Sequence, residues 1–431
     1  MDQQQQSDYS QHLAMKMTQD FSMFKKRRFD RSIEVSERDG LYIYKLDYYA
    51  SHLNLIEDLH EGEIMLGNNL KMTRQFVESH GECKNMFTYH TNLRDITIQE
   101  ENLKGSFCIV HGYGENSDIH LESAIQYALN GFDVHLIDLR GFGMTGGTRM
   151  AGFKIHDLHY DVAVLLRWVN PNLPLFIYGH SMGGLTILSF LINNPQLNIS
   201  GVILSAPLTG FHPISQVDDT KANLVRIIGH EIEDFVINPK IPTHLICSDK
   251  RIFQEFLQNR KMIPFMSLGL IGSMVEYFKD MPLNAQDFKY PVFTMLAEKE
   301  FLVNNRDTRK LVVKLGSTDK EIHEFKDAYH ELQKEPIKDE VHTKVLQFAA
   351  KILGNERVVK KFGVINLKSI RYGPMKKQTP HPLTILKRKL KILIIYLIIG
   401  YILSRGYLKG KALATLIWPL YVILKRFFGM K

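Results

Sequence analysis

The sequence predicts an α/β protein with a mostly parallel central sheet and helices on both of its faces. Three observations predict this fold class. Short apolar runs of strand length alternate with longer segments of helical periodicity from about residue 87 to residue 353. Glycine-containing turns follow several of the apolar runs. The chain has 431 residues, of which 45% are hydrophobic, so it is large enough to bury an extended core.

The alternating elements are assigned in chain order from the apolar pattern and the turn residues between them. The predicted strands lie at 106–110, 133–137, 175–179, 201–205, 292–296 and 321–325. The predicted helices lie at 117–129, 156–169, 185–192, 305–315 and 339–353. Strand–helix–strand units form right-handed crossovers with parallel strands, so the carboxyl ends of these strands are expected along one edge, where ligands bind.

Three further segments interrupt or flank this 86–353 domain. Residues 1–85 form an N-terminal extension, polar and flexible at first, for which a helical part is expected at 40–83. Between about 208 and 289 the alternation stops, and helical pieces rich in Met, Phe and Leu predict a cap inserted over the carboxyl edge. Residues 354–431 are expected to form a basic linker and an apolar tail.

The sequence GHSMGG, residues 179–184, joins a predicted strand to a predicted helix, with Ser181 at the turn. A sharp turn of this kind holds its central residue in a strained backbone conformation and needs small residues two positions before and after it, here Gly179 and Gly183. The serine hydroxyl is then exposed at the carboxyl edge, beside the backbone N–H of Met182. We expect Ser181 to be a nucleophile.

A serine hydroxyl becomes a useful nucleophile when a base accepts its proton and an acidic group orients that base. His330 follows the last predicted strand and is the expected base. Glu300 lies four residues beyond the strand at 292–296 and is the expected acid, with Glu298 and Asp307 as alternatives.

Acyl transfer also needs two N–H donors for the developing oxyanion. The expected donors are the backbone amides of Met182 and of Tyr113, which lies in the sequence HGYGE. Glu115 and Arg140 are expected to brace the HGYGE loop rather than to do chemistry. In the predicted cap, Met266, Leu270 and Met274 are expected to line an acyl-chain pocket, because flexible apolar side chains suit a long chain. This chemistry requires no metal ion and no cofactor.

Six motifs occur in this order: HGYGE, DLRGFGMTGG, GHSMGG, CSDKRIF, AEKEFLV and DAYHELQKE. Together, over about residues 87–353, they resemble the monoacylglycerol lipase and lysophospholipase branch of the α/β-hydrolases, described also as serine-aminopeptidase-like. The resemblance implies hydrolysis of monoacylglycerol, lysophospholipid or related esters beneath a mobile cap. This chain departs from the family pattern at Glu300, where aspartate is usual, and at Phe142, where histidine is usual.

The tail differs in charge from the rest of the chain. Residues 354–431 contain 17 Lys and Arg and one acidic residue, so the remaining chain is net acidic although the whole carries +8. An acidic body with a basic, apolar tail is not the layout of a nucleic-acid-binding protein. It indicates attachment to an anionic membrane surface.

Two apolar runs, 392–403 and 412–424, are flanked by Lys and Arg. Each would span about 18–20 Å as a helix, less than the ~30 Å of a bilayer core. The two runs could form a hairpin in one leaflet, two short membrane spans, or a helix pair buried in the protein. We expect one of the two membrane-associated forms. The flanking cations place the domain on the cytoplasmic side. The three cysteines suit a reducing compartment.

The sequence therefore predicts a membrane-associated serine hydrolase that cleaves a single-chain lipid ester through an acyl-enzyme. A carboxylesterase or acyl-thioesterase with other substrates is one alternative. A catalytically weak, membrane-tethered interaction protein is another. The head group, the acyl-chain length, the organelle (endoplasmic reticulum or lipid droplet among them) and the oligomeric state stay open.

Overall fold

The computed structural model describes only part of the chain. The described residues are 34–38, 41–45, 61–66, 69–79, 86–215, 226, 229, 232–239, 245–249, 252, 265–355 and 359–375. Within them, nine strands form one sheet, in the order β13-β12-β9-β8-β6-β7-β5-β4-β3. These strands are β3 (Gly62–Leu66), β4 (Leu70–Glu78), β5 (Phe87–Asp95), β6 (Gly105–Val110), β7 (Phe132–Ile137), β8 (Leu175–His180), β9 (Gly201–Ser205), β12 (Val292–Ala297) and β13 (Lys320–Phe325). A hairpin of β1 (Glu34–Arg38) and β2 (Leu41–Lys45) precedes them.

Six strands of the sheet, from β13 to β7 in the order above, are mutually parallel, and β5, β4 and β3 add antiparallel pairs. Every residue of β6, β7, β8, β9 and β12 is buried, as expected for strands covered on both faces. The register pairs Val110 with Gly179 and His180 with Ser205. The loops that follow β6 and β8 therefore leave the sheet side by side.

Helices cover both faces of the sheet. They are α1 (Leu121–Leu129), α2 (Leu158–Leu166), α3 (Met182–Asn193), α4 (Leu268–Asn284), α5 (Asn305–Lys314) and α6 (Lys338–Leu353). Side chains of β6 alternate between two apolar clusters, because successive residues of a strand point to opposite faces. Cys108 and Val110 join the cluster with α2, α3 and α4, and Phe107 and Ile109 join the cluster with α1 and α6.

The alternation predicted from residue 106 to residue 353 is confirmed, strand by strand and helix by helix. The helical prediction for 40–83 is wrong where the structure describes that segment. Gly62–Leu66 and Leu70–Glu78 are strands of the main sheet, so the sheet begins before residue 86. Leu70 and Met72 are buried while Lys71 and Thr73 are partly exposed, and this period of two is typical of a strand.

The segment between β9 and β12 contains α4 and a short pair of strands, β10 (Val236–Ile237) and β11 (Met266–Ser267). Much of the predicted cap at 208–289 lies outside the described residues. So do the apolar runs at 392–403 and 412–424. No helix in the described part of the chain has both the length and the apolar character needed to cross a bilayer.

Residues 359–375, which follow α6, pack against the body of the molecule as a strap. Phe362, Ile370 and Met375 are buried in the cluster that contains α2, α3 and α4. Tyr372 stacks on Tyr160 of α2 with ring centroids 4.1 Å apart. The first part of the predicted basic linker is thus a packed segment of the domain.

Candidate active site

Ser181 lies at the turn between β8 and α3, with a φ of 49° and a ψ of −115°. This left-handed conformation is strained for a residue with a side chain, and such strain recurs at functional sites. A Cβ atom at Gly183 would lie 2.3 Å from the carbonyl oxygen of Val110, and one at Gly179 would lie 2.9 Å from the carbonyl carbon of Gly183. Strand and helix therefore approach so closely that both positions require glycine.

The backbone of Ser181 is fixed on both sides. Its N–H donates to the carbonyl oxygen of Ser205 at 2.9 Å, and its own carbonyl oxygen accepts from the N–H of Leu208 at 2.9 Å. Ser181 retains 9% of its accessible surface. The turn thus fixes the position of Ser181, which is almost completely buried.

The predicted base and the predicted acid meet. His330 Nδ1 lies 2.8 Å from Glu300 Oε2, and both side chains are buried. The other carboxylate oxygen, Oε1, accepts from the N–H groups of Leu302 at 2.8 Å and Val303 at 3.2 Å. Glu300 is therefore held by its own loop, and it orients the imidazole ring.

The imidazole of His330 is also next to the serine turn. Its ring centroid lies 4.9 Å from that of His180, the residue that precedes Ser181. The alternative acids are engaged elsewhere. Glu298 accepts from the N–H of Asp327 at 2.8 Å, and Asp307 accepts from the side-chain amide of Asn304 at 2.8 Å.

Charge couples His330 to Glu300. Burial is the largest influence on the pKa of His330 and lowers it, but the adjacent Glu300 carboxylate, together with Glu331 and Glu115, raises this pKa above its ordinary value. Burial would likewise raise the pKa of Glu300, but His330 and the N–H groups of Leu302 and Val303 lower it. The pair is therefore arranged to stabilise an imidazolium beside a carboxylate.

The HGYGE loop follows β6 and faces the start of α3. Gly112 donates its N–H to Glu115 Oε2 at 2.7 Å, and His111 Nε2 accepts from the N–H of Leu139 at 2.9 Å. Among the described residues, no protein acceptor is bonded to the N–H of Tyr113 or of Met182. Their role as oxyanion donors stays a prediction.

In the DLRGFG loop, which follows β7, Arg140 braces its own loop, whereas the sequence predicted that it braces the HGYGE loop. Arg140 donates from Nη2 to Asp161 Oδ1 at 2.8 Å, and both side chains are buried. Phe142 is buried against the rings of His111 and Tyr113. A cavity of about 840 Å³ opens beside this loop, and its lining includes Arg140 and Phe153.

Met266, Leu270 and Met274 are brought together on one side of the molecule. Leu270 and Met274 are fully buried on α4, and Met266 lies in the short strand before it. They belong to the same apolar cluster as Met182 of the serine turn. The structure therefore places all three in the apolar cluster that also contains the first residue of α3.

A second buried polar cluster was not predicted from the sequence. His180 Nε2 lies 3.0 Å from Glu331 Oε1 and 3.6 Å from Glu115 Oε1. Sequence reasoning missed it because His180 and Glu331 flank Ser181 and His330, and nothing local distinguishes them from motif spacers. The only signal in the sequence was an ionisable residue in each of the three loops.

Within the described part of the chain, Glu115, His180 and Glu331 are the one group of three side chains close enough to bind a metal ion together. Their ligand atoms lie within 4.8 Å of one another. These atoms are, however, already engaged. Glu115 Oε2 accepts from Gly112 and is 3.0 Å from His120 Nε2, while Glu331 accepts from the side-chain amide of Gln333. These contacts fit a hydrogen-bonded network rather than an open coordination site.

Comparison with known proteins identifies the family. The family model described as "Serine aminopeptidase, S33" matches residues 101–337, more than half of the chain. The monoglyceride lipase of Saccharomyces cerevisiae is 28% identical over 256 residues, which are 53% of this chain and 78% of that protein. The monoacylglycerol lipase of Mycolicibacterium smegmatis is 24% identical over 56% of this chain and 86% of that protein. An uncharacterized abhydrolase domain-containing protein of Dictyostelium discoideum is 24% identical, but the match covers only 26% of its length.

Solved structures share the fold. The monoacylglycerol lipase of Paleococcus ferrophilus superposes with a TM-score of 0.56 at 22% identity, covering 62% of this chain and 99% of that one. A soluble variant of the S. cerevisiae monoglyceride lipase gives 0.56 at 21% identity, covering 64% and 94%. The resemblance read from the motifs is confirmed: the chain has the α/β-hydrolase fold and belongs to the serine aminopeptidase S33 family, in the branch that includes monoacylglycerol lipases.

Proposed function

We propose that this protein is a serine hydrolase that cleaves the ester bond of a single-chain lipid. The observation that carries the proposal is the buried 2.8 Å contact between His330 and Glu300, beside the strained turn of Ser181. A nucleophile, a base and an acid on three loops at one sheet edge are the parts that acyl transfer needs. Names of relatives support the substrate class, because they include a phospholipase of Bacillus subtilis and a protein of Haemophilus influenzae named "Probable lysophospholipase L2".

In the proposed mechanism, Ser181 Oγ attacks the ester carbonyl carbon while His330 Nε2 takes the hydroxyl proton. Glu300 holds the proton on His330 Nδ1 and stabilises the imidazolium. The N–H groups of Met182 and Tyr113 donate to the oxyanion of the tetrahedral intermediate.

The intermediate collapses to an acyl-enzyme as the ester C–O bond breaks, and His330 gives its proton to the leaving alcohol. Water then attacks the acyl-enzyme with His330 as base, which releases the fatty acid and restores the Ser181 hydroxyl. No metal ion or cofactor takes part in these steps.

The acyl chain is proposed to lie between α4 and α3, along Met266, Leu270 and Met274, with the 208–289 segment acting as a cap. The burial of these side chains means that α4 must shift for a chain to enter, which agrees with a mobile cap. Flexible Met and Leu side chains suit this role because they can repack around a chain.

The tail is proposed to attach the enzyme to the cytoplasmic side of a membrane through the apolar runs 392–403 and 412–424. Their flanking Lys and Arg would contact anionic lipid head groups. A membrane-bound hydrolase would draw its lipid substrate directly from the bilayer.

Purified full-length protein in detergent tests this function. We expect release of fatty acid from monoacylglycerol or lysophospholipid, and its loss in Ser181→Ala. Short-chain esters and acyl-thioesters are included in the panel. Turnover of short-chain esters or acyl-thioesters alone would identify a carboxylesterase or acyl-thioesterase instead of a lipase. A folded protein that hydrolyses none of these substrates would support the alternative of a membrane-tethered interaction protein.

A further inference from the structure

Glu115, His180 and Glu331 join the three loops that carry the proposed catalytic groups. Glu115 belongs to the loop of Tyr113, His180 precedes Ser181, and Glu331 follows His330. Their side chains are almost completely buried, with 0–4% of their surface accessible. A change in any of these contacts would therefore move the loops of the site relative to one another.

The contacts of His180 fix where its protons can lie. Its Nδ1 is 3.2 Å from the carbonyl oxygen of Ser205, which can only accept, so Nδ1 carries a hydrogen. Its Nε2 is 3.0 Å from Glu331 Oε1. If the ring is neutral, Nε2 carries no hydrogen, and its lone pair faces a carboxylate oxygen, which would repel it. One additional proton must therefore lie between His180 and Glu331.

Glu115 lies farther from His180 Nε2 than Glu331 does, at 3.6 Å, and its other oxygen already has donors. Its Oε2 accepts from the N–H of Gly112 at 2.7 Å and lies 3.0 Å from His120 Nε2. His120 Nδ1 has no hydrogen-bond partner in the described part of the chain, which fits a neutral ring that donates from Nε2. The geometry therefore places the additional proton on the line between His180 Nε2 and Glu331 Oε1, while the nearest donors of Glu115 are Gly112 and His120.

Building on the proposed function, we propose that His180 and Glu331 share one proton as a net-neutral pair and, together with ionised Glu115, act as positioning residues for the loops of Tyr113, Ser181 and His330. Two carboxylates so close together in a buried site favour this distribution, because one shared proton removes their repulsion. Glu115 then supplies the negative charge of the cluster.

The surroundings of His180 are crowded with titratable side chains. The titratable groups around His180 are Glu115, Glu331, Glu300, His120, His330 and the neighbouring Tyr178. Burial is the largest influence and lowers the pKa of His180 to about 4, so the ring is neutral near pH 7. The acidic side chains that raise the pKa of His330 include Glu331 and Glu115. Under the proposal, Glu115 keeps a full negative charge and Glu331 does not.

Glutamine tests the shared proton because it imitates a protonated carboxylic acid. In Glu331→Gln, the amide N–H donates to His180 Nε2 and the amide oxygen accepts from Gln333. We expect kcat/KM for a soluble ester within about threefold of wild type and an unchanged acid limb in the pH profile. In Glu115→Gln, which removes a full charge near His330, we expect the acid limb to move to lower pH.

Glu331→Ala removes the pair. We expect kcat to fall by at least tenfold with KM changed less than twofold, and rescue by glutamine at the same position. Glu340→Gln on the exposed face of α6 is the matched control for removing a carboxylate. An acid limb that shifts as far in Glu331→Gln as in Glu115→Gln would overturn the proposal, because Glu331 would then be ionised.

A spectroscopic measurement keeps this test separate from the proposed activity. In ¹⁵N-histidine-labelled protein, the ring of His180, assigned by comparison with His180→Gln, should show a hydrogen on Nδ1 in wild type and in Glu331→Gln. A His180 ring protonated only at Nε2 would refute the proposal. An enzyme that is inactive but has the expected His180 spectrum would refute only the proposed function.

Discussion

Glu300 has one more methylene group than the aspartate usual at its position, and its surroundings show how the extra length is accommodated. The residue lies three positions beyond the end of β12, and its Oε1 is fixed by the N–H groups of Leu302 and Val303. That leaves Oε2 to contact His330. Two backbone donors restrict the longer side chain, so glutamate can orient the imidazole as a shorter acid would.

Removing this carboxylate should affect turnover far more than removing its neighbour. For Glu300→Gln we expect kcat to fall by about 10³–10⁴-fold, because an amide no longer stabilises the imidazolium or fixes the tautomer. Asp307→Asn, on α5, should stay within about threefold of wild type. Steady-state kinetics on a soluble ester gives both values. A larger loss in Asp307→Asn would contradict the assignment of the acid.

The raised pKa of His330 predicts how the activity depends on pH. The base must be neutral to accept the serine proton, so activity falls as the pH drops through its pKa. Because Glu300 raises this pKa above the ordinary 6.5, the acid limb of kcat/KM should lie above pH 6.5. In Glu300→Gln the residual activity should have its acid limb at lower pH, since the largest influence that opposes burial would be gone. An acid limb that moves to higher pH in this variant would contradict the pairing.

At the scale of single elements, the turn from β8 to α3 depends on backbone proximity. A methyl group at Gly183 would meet the carbonyl oxygens of Val110 and His111 at 2.3 and 2.6 Å. Neither oxygen can retreat without moving β6 and the HGYGE loop. The glycines of the motif are thus a packing requirement between two loops of the site.

Gly183→Ala should therefore lower the free energy of unfolding by about 1–3 kcal/mol and abolish measurable turnover. Gly354→Ala is the matched control, because a Cβ there meets nothing closer than 3.5 Å. Thermal unfolding and ester hydrolysis of the two purified variants make the comparison. A Gly183→Ala protein with wild-type stability and activity would contradict the close approach of the two loops at this glycine.

The elements differ in how far sequence could predict them. Strands β6, β8 and β12 are continuous apolar runs ending in motifs, so their type and their shared edge follow from the pattern. Strand β3 is an edge strand and β4 alternates apolar and polar residues only over its first four positions, so neither has the long apolar run of a central strand, and for this segment the sequence wrongly predicts a helix. The pair of Ser181 and His330 follows from motif and position, but the contact of His180 with Glu331 depends on tertiary structure alone.

At the scale of the whole molecule, the strap at 359–375 determines where the tail begins. It is held by hydrogen bonds as well as by packing. Arg371 donates its N–H to Asn194 Oδ1 at 2.8 Å, and Gly373 accepts from Tyr277 of α4 at 3.0 Å. The chain therefore leaves the described body next to α4, the helix proposed to cover the acyl chain.

Two truncations separate the strap from the tail. A chain ending at residue 375 should keep its melting temperature and its hydrolysis of soluble esters, and should leave the membrane pellet. A chain ending at residue 354 should be less stable, because Phe362, Ile370 and Met375 each contribute roughly 2 kcal/mol by burial. Equal melting temperatures for both chains would contradict the packing of the strap. A 1–375 chain that still sediments with membranes would contradict the role of the tail.

The most direct test of the central claim is covalent labelling by a fluorophosphonate, which reacts with a serine only when a base activates it. The account predicts that full-length protein is labelled on Ser181, that labelling disappears in Ser181→Ala, and that it is strongly slowed in Glu300→Gln. A folded wild-type protein that stays unlabelled, or that is labelled equally in Ser181→Ala, would contradict it.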